Sequence, residues 1–304
     1  MRHVFDVPVG MPYRLDLTVS VLRRLSTNVV DVLTPEGQYI RALSATPAPV
    51  ILRATQIRHE ASLSITVETT ADESIDIRNL ACEMLGCNVD LSAFHAAASG
   101  IPWLAPLVKR MNGVKPPRYP SLWEACANAI VFQQVSLRAA SSIMHRLIVM
   151  FGKPVECDGA QLYAFPTMES FRNADDALLR TAGLSSNKAG ALRRVADAIL
   201  SGALDAATLK QSASPDAAMM LRRIKGIGPW TAAVILLRGL GRLDVFPAND
   251  TSIASNLALV AGSAPVDAKS ILEMLGDQRG MLYFYLLLAR LEARDEIGRP
   301  SFER

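Results

Sequence analysis

The chain has 304 residues, of which 50% are hydrophobic, and a formal net charge of +3. This length suggests about two domains and a core that buries roughly three quarters of the unfolded surface, so a disordered or fibrous protein is excluded. The mild positive charge permits nucleic-acid binding but does not argue for it, because only local clustering of cations would do so.

The first seventy residues have the pattern of β structure. Apolar and polar residues alternate over 13–21 and again over 63–67, which is the period of a half-buried strand. The segment Thr34-Pro35-Glu36-Gly37 between two apolar stretches has the composition of a hairpin turn. The pattern predicts a small, mainly antiparallel sheet that has room for one helix. The predicted strands are 13–21, 29–33, 39–43, 50–58 and 63–67.

After residue 70 the period becomes helical. Ser121 and Glu124 form a capping box that opens a helix ending near residue 132. Residues 133–136 interrupt this helix, and a new one runs towards residue 150. We therefore predict an α+β protein, in which a small N-terminal antiparallel sheet domain at 1–88 precedes a mainly α-helical domain of about ten helices at 89–304.

Residues 221–250 concentrate the features that suggest chemistry. Pro229 opens a helix directly after the turn Lys225-Gly226-Ile227-Gly228, whose glycines allow positive φ and close approach of a ligand to the main chain. Free N–H groups at the start of a helix attract phosphate. Between 221 and 242 there are five cations and no acid, and Asp250 follows. The cations are Arg222, Arg223, Lys225, Arg238 and Arg242. The pattern predicts a phosphate-binding turn followed by a functional carboxylate.

Residues 225–232, together with Arg238, Asp244 and Asp250, resemble the helix-hairpin-helix plus Gly/Pro-Asp (HhH-GPD) motif of base-excision DNA glycosylases. Within that superfamily the chain most resembles DNA-3-methyladenine glycosylase II, since 129–136 and 183–189 also resemble stretches of that family in the same order. The resemblance implies that 89–304 is an HhH-GPD glycosylase domain that hydrolyses the N-glycosidic bond of alkylated purines, of the 3-methyladenine and 7-methylguanine type, and leaves an abasic site.

The resemblance also implies the partners and the working of such an enzyme. Its substrate is double-stranded DNA containing damaged bases, from which the target nucleotide must be flipped out of the stack before the bond can be reached. We expect no cofactor, no membrane association and a monomer. We expect the protein in the cytoplasm, associated with the nucleoid if the source is a bacterium.

Asp250 is the predicted catalytic residue. A carboxylate beside the sugar can stabilise the oxocarbenium-like charge of the transition state and orient the attacking water. An alkylated purine that already carries positive charge leaves easily and needs little help from a general acid. The alternative role of Asp250 is that of an N-cap for the helix that begins at Thr251.

Trp230 occupies the position at which glycosylase/lyase relatives have a nucleophilic lysine, so the resemblance implies a monofunctional enzyme that uses water. Trp230 is predicted to stack on the extruded base, with core packing as the alternative. Val234 and Tyr283 complete the predicted substrate pocket. Val234 stands where the alkylation-repair type commonly has a tyrosine, and 277–279 stands where another aromatic residue is expected, so Tyr283 is expected to compensate.

The predicted DNA contacts surround the turn and the interrupted helix. Gln134 is preferred as the side chain that fills the gap left by the flipped base, although both glutamines are alternatively solvated loop or capping amides. No side-chain metal site is expected, and an ion held by the main chain of 226–228 stays open. The predicted DNA-binding residues are Gln133, Gln134, Lys225, Gly226, Ile227, Gly228 and Arg238.

Two other functions compete with this one. A glycosylase for oxidised or mismatched bases is disfavoured by the absence of lysine at 230 and of a C-terminal four-cysteine cluster. A non-catalytic helix-hairpin-helix DNA-binding protein would use the glycines and cations but would have no use for an acid beside the phosphodiester.

The remaining sequence features argue against metal clusters, secretion and membrane insertion. Cys82 and Cys87 do not form a C-x2-C pair and lack an accompanying histidine pattern, which makes a zinc or iron–sulfur site improbable. Scattered cysteines are typical of a reduced cytosolic protein. Charges interrupt every apolar run near the N-terminus, and no uncharged apolar run reaches membrane-spanning length.

Overall fold

The N-terminal part of the chain is an antiparallel sheet packed on two helices. The computed structural model describes residues 1–45, 48–57, 61–69, 74–248, 251–262 and 266–297, with 74–76, 251, 252 and 254 described by their backbone. The sheet has the strand order β1-β5-β4-β3-β2, and every neighbouring pair is antiparallel. The elements of this N-terminal part are β1 (Arg2–Pro8), α1 (Leu15–Arg23), β2 (Asp31–Leu33), β3 (Tyr39–Leu43), β4 (Val50–Gln56), β5 (Ser62–Glu68) and α2 (Ser74–Leu85).

The rest of the chain is mainly helical. A short antiparallel hairpin and a 3-10 turn at Gly276–Gln278 interrupt the helices. The elements are α3 (Ser92–Ser99), α4 (Ala105–Arg110), α5 (Leu122–Val131), α6 (Leu137–Phe151), β6 (Lys153–Cys157), β7 (Ala160–Ala164), α7 (Met168–Arg172), α8 (Asp176–Thr181), α9 (Ser186–Leu200), α10 (Ala206–Gln211), α11 (Ser214–Arg222), α12 (Pro229–Leu240), α13 (Thr251–Ala261), α14 (Ala268–Met274) and α15 (Met281–Glu292).

The predicted α+β organisation is confirmed, with two local errors in the part after residue 89 and one in the N-terminal part. After residue 89 the described ranges contain more than the ten helices expected, because α7, α8 and α10 have only five or six residues each and are too short to show a helical period. The β6–β7 hairpin was also missed, since most of its residues are exposed or half-buried and give no alternating pattern. None of the helices in these ranges combines the length and apolar character needed to cross a membrane.

The strand predicted at 13–21 is wrong, because residues 15–23 form α1. Every residue from Leu15 to Leu22 is buried, so the polar positions are enclosed together with the apolar ones. Ser20 Oγ donates to the main-chain oxygen of Asp16 at 2.7 Å, and Thr18 Oγ1 accepts from the main-chain nitrogen of Lys115 at 3.0 Å. Alternation indicates a strand only where one face meets water, and here neither face does.

A buried ion-pair network joins the sheet to the helices and fixes α5. Arg41 on β3 donates through Nη2 to both carboxylate oxygens of Glu124 on α5, at 2.5 and 2.6 Å, and through Nη1 to Asp31 at 2.6 Å. Tyr39 donates to the same Asp31 oxygen at 2.7 Å. Burial raises the pKa of Glu124, and the charge of Arg41 opposes that rise. The far end of α5 leads into the helix break at 132–136.

Candidate functional site

A cleft of about 1010 Å³ opens where the helix break meets the 225–228 turn. Its walls come from 132–137 between α5 and α6, from 226–231 at the start of α12, and from α13 and α15. Arg24 and Phe246 complete the wall. The structure therefore brings Gln133, Gln134, the turn, Trp230 and Tyr283 to one concavity, although the first and the last of them are 150 positions apart in the sequence.

The two glycines of the turn differ in their conformation and in the space around them. Gly226 has φ +109°, and a Cβ added there would lie 2.5 Å from Cβ of Ala191 on α9. This glycine therefore lets the turn pack closely on α9. Gly228, the N-cap of α12, has an ordinary φ of −88°, and no atom lies within 4 Å of the position a Cβ would take. Only Gly228 leaves the main chain open to a ligand, and no side chain caps the helix that follows it.

Three polar side chains hold the turn and the helix break in place. Gln133 donates through Nε2 to the main-chain oxygen of Gly226 at 2.8 Å and to Oγ1 of Thr231 at 2.6 Å. Arg194 Nε donates to the main-chain oxygen of Lys225 at 2.8 Å. Lys188 Nζ donates at 2.8 Å to the main-chain oxygens of residues 131 and 133, and its burial lowers its pKa. The amide of Gln133 is thus engaged within the protein.

Gln134, the predicted gap-filling residue, and Lys225, the predicted phosphate contact, are both exposed, whereas Ile227 is buried. Gln134 is exposed at the mouth of the cleft and has φ +53°, a left-handed backbone that turns the chain sharply between α5 and α6. Lys225 is exposed, whereas Ile227 is 5% exposed and packs into the core. Ile227 can therefore meet a ligand only through its main chain.

Trp230 and Tyr283 both line the cleft. Trp230 lies in the first turn of α12 and is half-buried, and its indole Nε1 is buried without a hydrogen-bond partner among the described residues. Tyr283, in the first turn of α15, is half-buried and packs edge-on against Phe284 with ring centroids 5.6 Å apart. Both aromatic residues contribute to the wall, as the sequence predicts.

The predictions for Val234 and Arg238 are wrong in the structure. Val234 is 1% exposed and belongs to the core below the cleft, because one helical turn beyond Trp230 carries α12 inwards. Arg238 is fully buried; its Nη2 donates to the main-chain oxygen of Val21 at 2.9 Å, and its guanidinium lies 4.6 Å from the ring centroid of Tyr119. Arg238 links α12 to α1 and does not reach a phosphate.

Arg24 and Phe132 are wall residues that the sequence did not single out. The Arg24 guanidinium stacks on Phe132, with its central carbon 3.7 Å from the ring centroid. Burial lowers the pKa of Arg24. No sequence signal connects residue 24 with a helix break more than a hundred residues later. In the described ranges, no three His, Cys, Asp or Glu side chains come together to hold a metal ion.

Asp250, the predicted catalytic residue, lies outside the described residues, as does Asn249. The helix that begins at the next position, α13, contributes Ile253, Ser255 and Asn256 to the cleft wall. The catalytic role of Asp250 therefore remains a prediction.

This architecture and cleft correspond to a known class of protein. A family model described as "HhH-GPD superfamily base excision DNA repair protein" matches residues 127–275, a range that includes the helix break, the turn and α12. The chain belongs to this superfamily. Within it the chain lies near the DNA-3-methyladenine glycosylase II type.

Individual relatives cover different shares of the chain. Over 172 residues it is 34% identical to a probable bifunctional transcriptional activator/DNA repair enzyme AlkA of Mycobacterium tuberculosis, which covers 56% of this chain and 34% of that protein. Over 171 residues it is 28% identical to a DNA-3-methyladenine glycosylase of Bacillus subtilis, covering 56% of each. The chain thus spans about a third to just over half of these relatives' lengths.

The solved structures extend the fold likeness to nearly the whole chain. The 3-methyladenine DNA-glycosylase of Archaeoglobus fulgidus superposes with a TM-score of 0.77 at 25% identity, covering 95% of this chain and 99% of that one. The N-terminal sheet is therefore part of the shared architecture.

Proposed function

We propose that the chain is a monofunctional DNA glycosylase that hydrolyses the N-glycosidic bond of alkylated purines in duplex DNA and leaves an abasic site. The observation that carries this proposal is the convergence of an open main-chain turn, an interrupted helix and two aromatic side chains on one cleft. At about 1010 Å³ the cleft is at the upper end of ordinary ligand pockets, so an extruded nucleotide fits with part of its strand.

The turn supplies the grip on the DNA backbone. Gly228 places no Cβ at the N-cap of α12, and the N-terminus of that helix favours a phosphate through its free N–H groups and its dipole. Lys225 adds an exposed cation beside the turn. Gln133 keeps the turn in register with the helix break, so the phosphate contact and the plug at Gln134 act on the same nucleotide.

The aromatic wall receives the extruded base. Stacking of a base on an aromatic ring contributes about 1–3 kcal/mol and tolerates many base types. A cationic alkylated purine is further attracted to an electron-rich ring face. Trp230 and Tyr283 line the cleft and are assigned this role, beside the other aromatic wall residues Phe132 and Phe246.

Asp250 is assigned the catalytic role on the sequence pattern. It precedes Thr251, the first residue of α13, and that helix lines the cleft. Its carboxylate would stabilise the positive sugar and orient water for attack on C1′. Since Trp230 replaces the lysine of the lyase relatives, no Schiff base can form at that position, and water is the nucleophile.

We propose 89–304 as the glycosylase domain and one copy of the chain as the active unit. The domain at 1–88 supports it through the Arg41 network and contributes Arg24 to the wall.

The test is base release from a methylated DNA duplex under single-turnover conditions. We expect Asp250→Asn to retain DNA binding and to lose release, whereas Asp244→Asn, which removes an exposed acid six residues earlier, retains both. Near-normal release by Asp250→Asn would contradict the assignment. Borohydride trapping of a covalent protein–DNA adduct would instead support the lyase alternative, and binding without release by the unmodified protein would support a non-catalytic module.

A further inference from the structure

Arg24 is held in a strained backbone conformation at the edge of the cleft. It follows α1 with φ +60° and ψ −72°, and Leu25 N donates across it to the main-chain oxygen of Arg23 at 2.8 Å. This is the rare γ-turn with positive φ at its centre, which a side chain other than glycine adopts only at an energetic cost. Such strain persists where the surroundings enforce it, and it clusters at functional sites. The conformation therefore makes Arg24 a candidate functional residue.

The charge of Arg24 is buried next to the cleft, and no ion pair joins it to a carboxylate of the described residues. The side chain is 5% exposed, stacks on Phe132, and lines the cleft together with Phe132 and Tyr283. Its Nη1 is buried and has no hydrogen-bond partner among the described residues. After burial itself, the groups that act most strongly on its pKa are Tyr119, Arg238 and Tyr283, and none of these carries a carboxylate. Tyr283 acts on the Arg24 side chain through a hydrogen bond as well as through its charge.

We propose that Arg24 is a specificity-determining residue whose positive charge favours the release of neutral purines over cationic ones. This inference rests on the proposed glycosylase function and concerns the same cleft. Arg24 lines the cleft together with Phe132 and Tyr283, so its field acts on whichever base the cleft holds. Direct contact with the base is not required, because a buried charge is poorly screened.

The direction of the effect follows from where the electrons go. The C1′–N bond breaks with its electron pair leaving on the base, water adds its oxygen to C1′, and the proton that the water releases can neutralise the base. A neutral purine acquires negative charge as the bond breaks, and a fixed cation nearby stabilises that charge. A cationic purine undergoes the same change of charge as it leaves, but it is repelled when it enters the cleft. Relative to free enzyme and free DNA, the fixed cation therefore favours release of the neutral purine and leaves release of the cationic one unassisted. At a separation of about 8 Å and an effective dielectric near 20, the difference corresponds to at least about tenfold in relative release.

The experiment compares two duplexes of one sequence, containing either hypoxanthine, a neutral purine, or 7-methylguanine, a cationic one. For each enzyme the ratio of the two single-turnover rates is measured at one pH and salt concentration. The enzyme is kept in excess over DNA but below its dissociation constant, so that each rate reports kcat/KM. We expect Arg24→Met to lower the neutral-to-cationic ratio about tenfold, and Arg24→Lys, which keeps the charge, to hold the ratio near that of the unmodified protein. The ratio does not depend on the fraction of enzyme that is folded, so partial loss of structure does not imitate the effect.

Arg23→Met is the matched control, because it removes the neighbouring charge, whose Nη2 donates to the main-chain oxygen of Glu296 at 2.6 Å. Arg23 does not line the cleft, and we expect this variant to leave the ratio unchanged. An unchanged ratio in Arg24→Met, an equal fall in Arg23→Met, or release of only the cationic base by the unmodified protein would each overturn the inference. Release of neither base would refute the proposed function itself.

Discussion

The two glycines of the 225–228 turn should respond in opposite ways to the same change. In Gly226→Ala the new methyl group would lie 2.5 Å from Cβ of Ala191, on a backbone with φ +109°. In Gly228→Ala the methyl group would meet no atom within 4 Å, at an ordinary φ. The first variant therefore tests packing of the turn on α9, and the second tests access of a ligand to α12.

The size of the first effect combines two terms. A left-handed backbone costs about 1–2 kcal/mol for a residue with a Cβ, and forcing a methyl group into a filled contact costs about 1–3 kcal/mol. We expect Gly226→Ala to lower the free energy of unfolding by about 3 kcal/mol, a large part of a typical total. Gly228→Ala should change it by less than about 0.5 kcal/mol, since it strains nothing.

Urea denaturation measures both values. With a slope of about 3 kcal/mol per molar urea for a chain of this size, the midpoint of Gly226→Ala should fall by about 1 M. Ala191→Gly removes the methyl group on the opposite side of the contact. In a double-mutant cycle it should recover the packing term of Gly226→Ala but leave the backbone strain.

DNA affinity supplies the complementary measurement. Gly228→Ala should weaken binding about tenfold while stability is unchanged, because its methyl group stands where a main-chain N–H would meet a charged phosphate oxygen. Equal stability of the two alanine variants, or a cycle without coupling between 226 and 191, would refute the packing argument. Unchanged affinity of Gly228→Ala would refute the open-turn argument.

Two further predictions concern groups outside the cleft. Arg41→Met should lower the free energy of unfolding by about 3–5 kcal/mol, measured by urea denaturation, because it leaves Asp31 and Glu124 buried without their cation; a loss below about 1 kcal/mol would contradict this. The pKa of the Cys82 thiol is lowered to about 7, mainly by its hydrogen bond to Cys87, and the pKa of Cys87 is raised. Because the thiolate is the reactive form, brief iodoacetamide treatment at pH 7 should label Cys82 before the other cysteines. Mass spectrometry locates the label, and Cys87→Ala should slow the labelling; equal labelling of all four cysteines would contradict the prediction.

Local sequence patterns determined the elements whose signals are short-range. The 34–37 turn appears between β2 and β3, where Gly37 N donates to the main-chain oxygen of Thr34 at 2.9 Å. Ser121 caps α5 by accepting from Glu124 N at 3.1 Å, as predicted. The side chain of Glu124, however, joins Arg41 instead of returning to the cap. A long-range partner that the local pattern cannot show decides the fate of that carboxylate.

Burial separated residues that line the cleft from residues that pack in the core, among those that the family pattern suggested. Trp230 and Arg238 lie on the same helix, and both have side chains suited to nucleic acid. The first turn of α12 opens on the cleft, so Trp230 lines it, whereas two turns later α12 crosses α1, and Arg238 is enclosed there. Helical spacing gives the relative directions of side chains, but the neighbouring elements determine which of these directions faces solvent.

The sequence by itself determined the α+β organisation, the turn and the superfamily, because each depends on patterns of residues that are close neighbours along the chain. Only the tertiary structure decided that Gly226 packs against Ala191 while the space at Gly228 is open, and that Arg24 lines the cleft. Those facts depend on contacts with Ala191, Phe132 and Tyr283, tens to hundreds of residues away. The physical reason is that close packing and burial of charge are properties of surfaces brought together by folding.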